Sequence, residues 1–213
     1  AQAQINTIPG TGDSSPNTSA GVVSGTGAFA IGLDASADGS RAFAIGEGAK
    51  ASGTYAVAIG RSSNASAPGS GEGCALAIGY SAQALGKQSI AIGASAMANA
   101  TQTIAIGCSA TATKDKAIAI GKAAKALGQG IAIGQDAMSN QSDAIAFGLQ
   151  AKATYANAIA IGSSSVASND KAIALGDSAK ASGKNSYAIG LKAEATAENS
   201  FAIGTEAKAE RSG

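Results

Sequence analysis

The stretch of sequence that decides the fold is Lys116-Ala117-Ile118-Ala119-Ile120-Gly121. Its last pair, a large apolar residue followed by Gly, recurs thirteen times, and successive copies are 14 residues apart except for one spacing of 19 and one of 13. A fixed period of this length is typical of a solenoid in which each repeat forms one coil. The copies are Ile31-Gly32, Ile45-Gly46, Ile59-Gly60, Ile78-Gly79, Ile92-Gly93, Ile106-Gly107, Ile120-Gly121, Ile133-Gly134, Phe147-Gly148, Ile161-Gly162, Leu175-Gly176, Ile189-Gly190 and Ile203-Gly204.

Each repeat contains two segments with the alternation of a β-strand. Large apolar residues alternate with Ala in the first segment, as in Ile118, Ala119 and Ile120, and small residues alternate in the second, as in Ala179-Lys180-Ala181. A period of two indicates strands, whereas a helix would place its apolar residues at i, i+3 and i+4. We therefore predict an all-β fold, a parallel β-solenoid of about 13 fourteen-residue coils with two short strands in each coil.

The narrow coil leaves two possible orientations for the first strand. Two sheets so close together can interleave a large side chain with a small one, but not two large ones. We expect the large residues to fill the interior, which leaves a ladder of Ala outside as a contact between chains of a homo-oligomer. The alternative places Ala inside and the large residues between chains. This Ala ladder, assigned to trimer or coil packing, consists of Ala30, Ala44, Ala58, Ala77, Ala91, Ala105, Ala119, Ala132, Ala146, Ala160, Ala174, Ala188 and Ala202.

The composition excludes several classes of function. Of 213 residues, 29 are Gly and 53 are Ala, and there is no His and no Trp. Without an imidazole, the Ser/His/Asp and Cys/His nucleophiles and His-ligated zinc are excluded, so we predict no enzyme and no cofactor. Lys plus Arg (15) nearly balance Asp plus Glu (14), which argues against a nucleic-acid partner. No apolar run approaches the roughly 20 residues that cross a bilayer, so no membrane contact is expected here.

Cysteine and acidic residues predict neither an internal disulfide nor a metal site. Cys74 and Cys108 lie two coils apart, and a rise of roughly 9 to 10 Å exceeds the Cα separation of about 7 Å that a disulfide allows. A bridge between two chains is the alternative. The Asp residues do not recur in register, and the Gly-Gly-x-Gly-x-Asp turns of calcium-loaded β-rolls are absent from the sequence.

Two segments depart from the repeat. The spacing of 19 between Ile59 and Ile78 holds five extra residues, which must leave the coil as a surface loop. This loop is a candidate ligand-binding site, with a tolerated insertion as the alternative, and it consists of Pro68, Gly69, Ser70, Gly71 and Glu72. Residues 1–27 do not fit the repeat and are predicted to form an atypical N-terminal cap or a tail, whereas residues 28–213 form the repeats.

Lysine recurs at one position of the second strand, between its two small residues. Such a ladder could attract acidic glycans or anionic matrix, whereas single lysines more often keep an exposed sheet soluble. The lysines concerned are Lys50, Lys125, Lys152, Lys180 and Lys208.

Two hexapeptides carry a resemblance to a known family. Asn185-Ser186-Tyr187-Ala188-Ile189-Gly190 and Asn199-Ser200-Phe201-Ala202-Ile203-Gly204, repeated in looser form every 14 residues, resemble the head repeats of YadA-like trimeric autotransporter adhesins. The resemblance covers residues 28–213 and implies a left-handed parallel β-roll, a homotrimer of intertwined chains and a bacterial cell-surface location. It also implies adhesion, since collagen and other matrix proteins are ligands of relatives. Neck, stalk and anchor segments are absent from this sequence, so we expect a head fragment whose outer-membrane attachment lies in those segments.

These observations lead to one functional prediction and one alternative. We predict a bacterial adhesin head that binds host extracellular matrix, such as a collagen-like protein, or a cell-surface ligand through a repetitive trimeric outer face. The alternative is a structural fibre or spacer module of a phage or surface appendage that has no ligand. Binding by the intact trimer separates the two, because avidity is lost when a multivalent binder dissociates.

Overall fold

The computed structural model describes residues 21–67 and 73–211, and all regular elements in these ranges are strands of two or three residues. The same ranges contain no helix with the length and apolar character that crossing a membrane requires. The first strands of the coils are β2 (Phe29–Ile31), β4 (Phe43–Ile45), β6 (Val57–Ile59), β8 (Leu76–Ile78), β10 (Ile90–Ile92), β12 (Ile104–Ile106), β14 (Ile118–Ile120), β16 (Ile131–Ile133), β18 (Ile145–Phe147), β20 (Ile159–Ile161), β22 (Ile173–Leu175), β24 (Tyr187–Ile189) and β26 (Phe201–Ile203). The second strands are β1 (Val22–Val23), β3 (Ser36–Ala37), β5 (Lys50–Ala51), β7 (Asn64–Ala65), β9 (Gln83–Ala84), β11 (Met97–Ala98), β13 (Thr111–Ala112), β15 (Lys125–Ala126), β17 (Met138–Ser139), β19 (Lys152–Ala153), β21 (Val166–Ala167), β23 (Lys180–Ala181), β25 (Glu194–Ala195) and β27 (Lys208–Ala209).

The chain divides into two compact units, Ala1–Cys108 and Ser109–Gly213. In the first unit, the first strands form a sheet in the order β2-β4-β6-β8-β10-β12, and the second strands form a sheet in the order β1-β3-β5-β7-β9-β11. The second unit has the corresponding orders β14-β16-β18-β20-β22-β24-β26 and β13-β15-β17-β19-β21-β23-β25-β27. Pairing is parallel and in register, as for Ala146 and Ala160. The predicted parallel β-solenoid of about 13 turns is thereby confirmed, with six first strands in one unit and seven in the other.

Each coil closes through two tight turns. In the turn after the first strand, the N–H of Ala124 donates to the carbonyl oxygen of Gly121 at 3.2 Å, and Ala123 between them has a φ of 54°. The turn before the first strand has the same form, with a φ of 63° at Lys116. Left-handed residues reverse the chain within a few positions, so the two strands of a coil lie back to back at short distance.

The Gly at the end of a first strand is required by its conformation and, where another coil of the same unit follows, by the backbone of that coil. Gly148 has a φ of 138°, in a region that residues with a side chain rarely adopt. A Cβ at this position would lie 2.5 Å from the carbonyl oxygen of Gly162 in the next coil. Coils stacked at the spacing of paired strands, roughly 4.8 Å, leave no room for that methyl group.

The core of each unit is built from small side chains. Four inward positions in a coil are usually Ala, and Ala117, Ala119, Ala124 and Ala126 in one coil are all fully buried. Among the described residues, the largest fully buried side chain is that of Thr103. Interiors are close-packed, so the short distance between the two sheets excludes Ile, Leu and Phe from the core.

Apart from glycines such as Gly130, the inward positions that are not Ala are Ser or Thr, and the buried hydroxyl finds a backbone acceptor in an adjoining turn. Ser89 donates to the carbonyl oxygen of Gly86 at 2.7 Å, and Thr103 donates to that of Ala100 at 2.7 Å. A buried hydroxyl without a partner would cost about 1–3 kcal/mol. The local bond therefore makes a hydroxyl compatible with a core that otherwise consists of methyl groups.

The coil that is one residue short closes differently. Beside its short turn lies Ser139 of the next coil, which occupies an inward position and whose hydroxyl donates to the carbonyl oxygen of Ala144 at 2.9 Å. A Cβ on Gly130 would lie 2.1 Å from that hydroxyl oxygen, so Gly130 supplies the space for it. The ladder is undisturbed, since Ala119 pairs with Ala132 in the normal register.

Solenoid geometry begins within the segment that the sequence separates from the repeats. Val22–Val23 forms β1 and pairs with Ser36–Ala37 in the register of the later second strands. Residues 1–20, the greater part of the predicted cap or tail, lie outside the described residues.

Candidate interaction surfaces

The Ala ladder lies inside the coils, so the orientation that we preferred from the sequence was wrong. Ala30 is 8% exposed, Ala202 is 2% exposed, and the other members of the ladder are fully buried within their own chain. The large residues point outward, which is the alternative orientation. Size is the physical reason, because a core whose largest fully buried side chain is Thr103 has no room for Ile or Phe.

An apolar face therefore covers the outside of the first-strand sheet in each unit. We call the two rows of side chains on it the Ile face. Most of them are half-buried, whereas Phe147, Phe201 and Ile203 are more than half exposed. One row is Phe29, Phe43, Val57, Leu76, Ile90, Ile104, Ile118, Ile131, Ile145, Ile159, Ile173, Tyr187 and Phe201. The other row is Ile31, Ile45, Ile59, Ile78, Ile92, Ile106, Ile120, Ile133, Phe147, Ile161, Leu175, Ile189 and Ile203.

Aromatic residues stack on one another within the Ile face. The rings of Phe29 and Phe43 are 5.1 Å apart between centroids, and those of Tyr187 and Phe201 are 4.8 Å apart. In-register pairing of parallel strands places these side chains directly above one another. Such pairs contribute about 0.5–1.5 kcal/mol beyond their burial, and rings of this size fit only on the outer face.

Arginine and tyrosine lie in the turns that flank the Ile face in the first unit. Arg41 donates to the hydroxyl of Tyr55 and lies 5.4 Å from the centroid of its ring. Arg61 pairs with Glu47 at 3.4 Å and lies 6.0 Å from the ring centroid of Tyr80. Tyr and Arg are enriched at protein interfaces, so the flanks of this face have the composition of an interface.

The outer face of the second-strand sheet has a different character. Its outward positions are mostly polar, and the five lysines singled out in the sequence are all exposed there. Shallow depressions follow this face, including one of about 370 Å³ in the second unit. The residues that line it are Ala123, Lys125, Asp136, Met138, Gln150, Lys152, Ser164 and Val166.

The candidate loop Pro68, Gly69, Ser70, Gly71 and Glu72 lies outside the described residues, and its assignment as a ligand site stays a prediction. The coil around it is regular. Val57 pairs with Leu76 in the standard register, and the N–H of Cys74 donates to the carbonyl oxygen of Thr54 at 3.0 Å. The insertion therefore leaves the pairing of its neighbours intact.

The remaining chemical groups do not converge on a reactive centre within the described ranges. Cys74 and Cys108 are both exposed, and Cys74 is a free thiol. Residues 21–67 and 73–211 hold no group of three or more His, Cys, Asp or Glu that could bind a metal ion. The surfaces available for recognition are thus the two sheet faces and their flanking turns.

Comparison with known proteins identifies the repeats. The family model for the YadA head domain repeat, in two copies, matches residues 24–49, 51–70, 75–96, 98–124, 128–151, 156–179 and 181–207, which together make up more than half of the chain. Among solved structures, the collagen-binding domain of the Yersinia adhesin YadA is 24% identical, with a TM-score of 0.27. That match covers 86% of this chain and 65% of the Yersinia chain. No match was found among the curated proteins.

Proposed function

The chain belongs to the YadA head family, and we propose on this basis that it is the head of a bacterial surface adhesin that acts as a homotrimer. The family is one of adhesin heads, not of enzymes. The observation that carries the proposal is the match of seven segments between residues 24 and 207. An adhesin head acts where it meets the host, so the proposal includes exposure at the outer-membrane surface.

The Ile face supports assembly into a trimer. Within one chain these large side chains remain half-buried or exposed, and fully burying such a side chain contributes about 1.5–3 kcal/mol. The Ala core offers much less apolar surface per residue, so a single chain leaves its main source of hydrophobic stabilisation unused. A closed ring of three copies around one axis would bury the Ile face of each.

The same arrangement leaves the second-strand face free to meet a ligand. In each unit this face lies on the far side of the core from the Ile face, because the two sheets of a coil are back to back. We propose that the ligand is a host extracellular matrix protein or cell-surface molecule, bound along a repetitive surface. The Yersinia domain is described as collagen-binding, and collagen is therefore the first matrix protein to test.

Light scattering on the purified chain, followed by a solid-phase screen against collagens, fibronectin and laminin, tests this proposal. We expect a mass of three chains and saturable binding to at least one matrix protein, with apparent affinity that falls when the trimer is dissociated. A monomer would contradict the assembly. A stable trimer that binds no matrix protein and no host cell would favour the structural fibre module.

A further inference from the structure

Lysines alternate with apolar residues along the second-strand face of the second unit. Lys125, Met138, Lys152, Val166 and Lys180 follow one another on consecutive paired strands. We call the three lysines of this series the Lys column. Because paired strands are roughly 4.8 Å apart, successive ammonium groups of the column repeat about every 9.6 Å.

Carboxylates lie beside the Lys column only at certain positions, namely Asp136 near Lys125 and Lys152, and Glu194 on the strand that pairs with that of Lys180. Glu194 pairs with Lys208 at 4.0 Å and Glu47 with Arg61 at 3.4 Å, and the three lysines of the column take part in neither of these ion pairs. All three are exposed. The depression that contains Lys125 and Lys152 has one carboxylate, Asp136, which already accepts a bond from the amide of Gln135 at 3.2 Å.

The surface between the lysines is apolar and shallow. Met138 and Val166 are half-buried and lie on the two strands that separate the three lysines. The depression of about 370 Å³ is open to solvent and is lined by residues of four consecutive coils, and a second depression on the same face contains Lys180. Small-molecule sites are usually enclosed, whereas an open depression that spans several coils suits an extended polymer.

We propose that the Lys column binds a linear acidic polysaccharide, with sulfate or carboxylate groups on the lysines and sugar faces against Met138 and Val166. The spacing distinguishes this ligand from duplex DNA, which carries one charge per roughly 1.7 Å and is bound by dense basic patches. The inference rests on the proposed function in one respect, because burial of the Ile face in a trimer would leave three such columns outside. Three columns on one particle would bind a long polymer with avidity.

Binding of the purified protein to immobilised heparin, a sulfated linear polysaccharide, tests the inference. The variant Lys125→Gln with Lys152→Gln and Lys180→Gln removes the column, and Gln83 already occupies the equivalent position in the first unit. The matched control, Lys116→Gln with Lys171→Gln and Lys184→Gln, removes the same charge from exposed residues outside the second strands. We expect the column variant to lose at least about ten-fold in apparent affinity and the control to change less than about two-fold.

Three results would overturn the inference, namely no binding of the wild-type protein to heparin, an equal loss in both variants, or tighter binding to duplex DNA than to heparin. Binding that persists on desulfated heparin at the same strength would assign the contact to carboxylates, within the proposed ligand class. Light scattering and circular dichroism on each variant serve as controls, and they should give the same mass and the same spectrum as the wild-type protein. A wild-type trimer that binds matrix proteins but not heparin rejects only this inference, whereas a wild-type trimer that binds neither matrix proteins nor host cells rejects the proposed function.

Discussion

Single residues in this protein are constrained mainly by how close one coil lies to the next. Within a unit, the Gly at the end of a first strand faces its equivalent in the following coil where one follows, and the inward residues face those of the opposite strand across a core of methyl and hydroxyl groups. Gly148 and Ala146 illustrate the two cases. The neighbouring backbone leaves no space for a Cβ at Gly148, and Ala146 lies in a core whose largest fully buried side chain is that of Thr103. Both constraints come from backbone separation, and neither depends on a partner or a ligand.

Gly148→Ala should lower the free energy of unfolding by about 3 kcal/mol or more, because it combines a disfavoured φ with a clash. The added Cβ would lie 2.5 Å from the carbonyl oxygen of Gly162. Gly204→Ala is the matched control, since its φ of 122° is similar but its Cβ would meet only the Cβ of Ala207 at 4.0 Å. Thermal unfolding at one protein concentration compares the two. Equal destabilisation would show that backbone conformation, and not the stacking of coils, requires Gly.

At the scale of the strand, the period of the sequence was sufficient to place nearly all elements. The alternation around Ile118 and the following Gly locate a first strand and its end, and the pattern around Lys180 locates a second strand. Their parallel, in-register pairing follows from the constant period of the repeat. Strand positions depend on local patterns and strand pairing depends on the period, so both can be predicted from a single sequence.

The orientation of the first strand could not be obtained from the period, because alternation is the same whichever face points inward. The distance between the two sheets decides it, and this distance depends on turns with left-handed residues such as Ala123. A signal was nevertheless present. Tyr187 and Phe29 share one face of the first strand, and rings of this size do not fit inside a fourteen-residue coil, whereas Ser89 and Thr103 lie on the same face as the Ala ladder.

Deletion of residues 68–72 should leave the thermal midpoint unchanged or slightly raised. The deletion joins Ala67 to Gly73 and returns the spacing from 19 to 14 residues, and shortening a loop changes its closure entropy by less than about 1 kcal/mol. The matched control removes five residues of the next coil, 82–86, which include β9 (Gln83–Ala84), and it should unfold the first unit. Matrix binding measured on the loop deletion decides the loop's role, because lost binding with an unchanged midpoint would make it a ligand site.

At the scale of the whole molecule, substitutions on the two faces of the same coils should differ in their effect on assembly. Ile131→Asp with Ile159→Asp introduces charge into the Ile face, and we expect light scattering to show loss of the trimer, because burying an unpaired charge is costly. The matched control Met138→Asp with Val166→Asp changes the other face of the same two coils at positions that are equally half-buried. The control should keep a mass of three chains. Dissociation by the control alone would place the subunit contact on the second-strand face.

Stability should also depend on protein concentration, because a core of Ala, Ser and Thr leaves the large apolar side chains to be buried between chains. If three unfolded chains are in equilibrium with one folded trimer, a hundred-fold dilution lowers the free energy of unfolding per chain by roughly 1.8 kcal/mol. For a chain of this length, that change corresponds to a decrease of roughly 4–7 °C in the midpoint. Calorimetry after equilibration at each concentration measures the shift, and Ile131→Asp with Ile159→Asp serves as the dissociated reference. A midpoint independent of concentration would mean that each chain is stable with its Ile face in water, and the small-residue core would then be sufficient for folding.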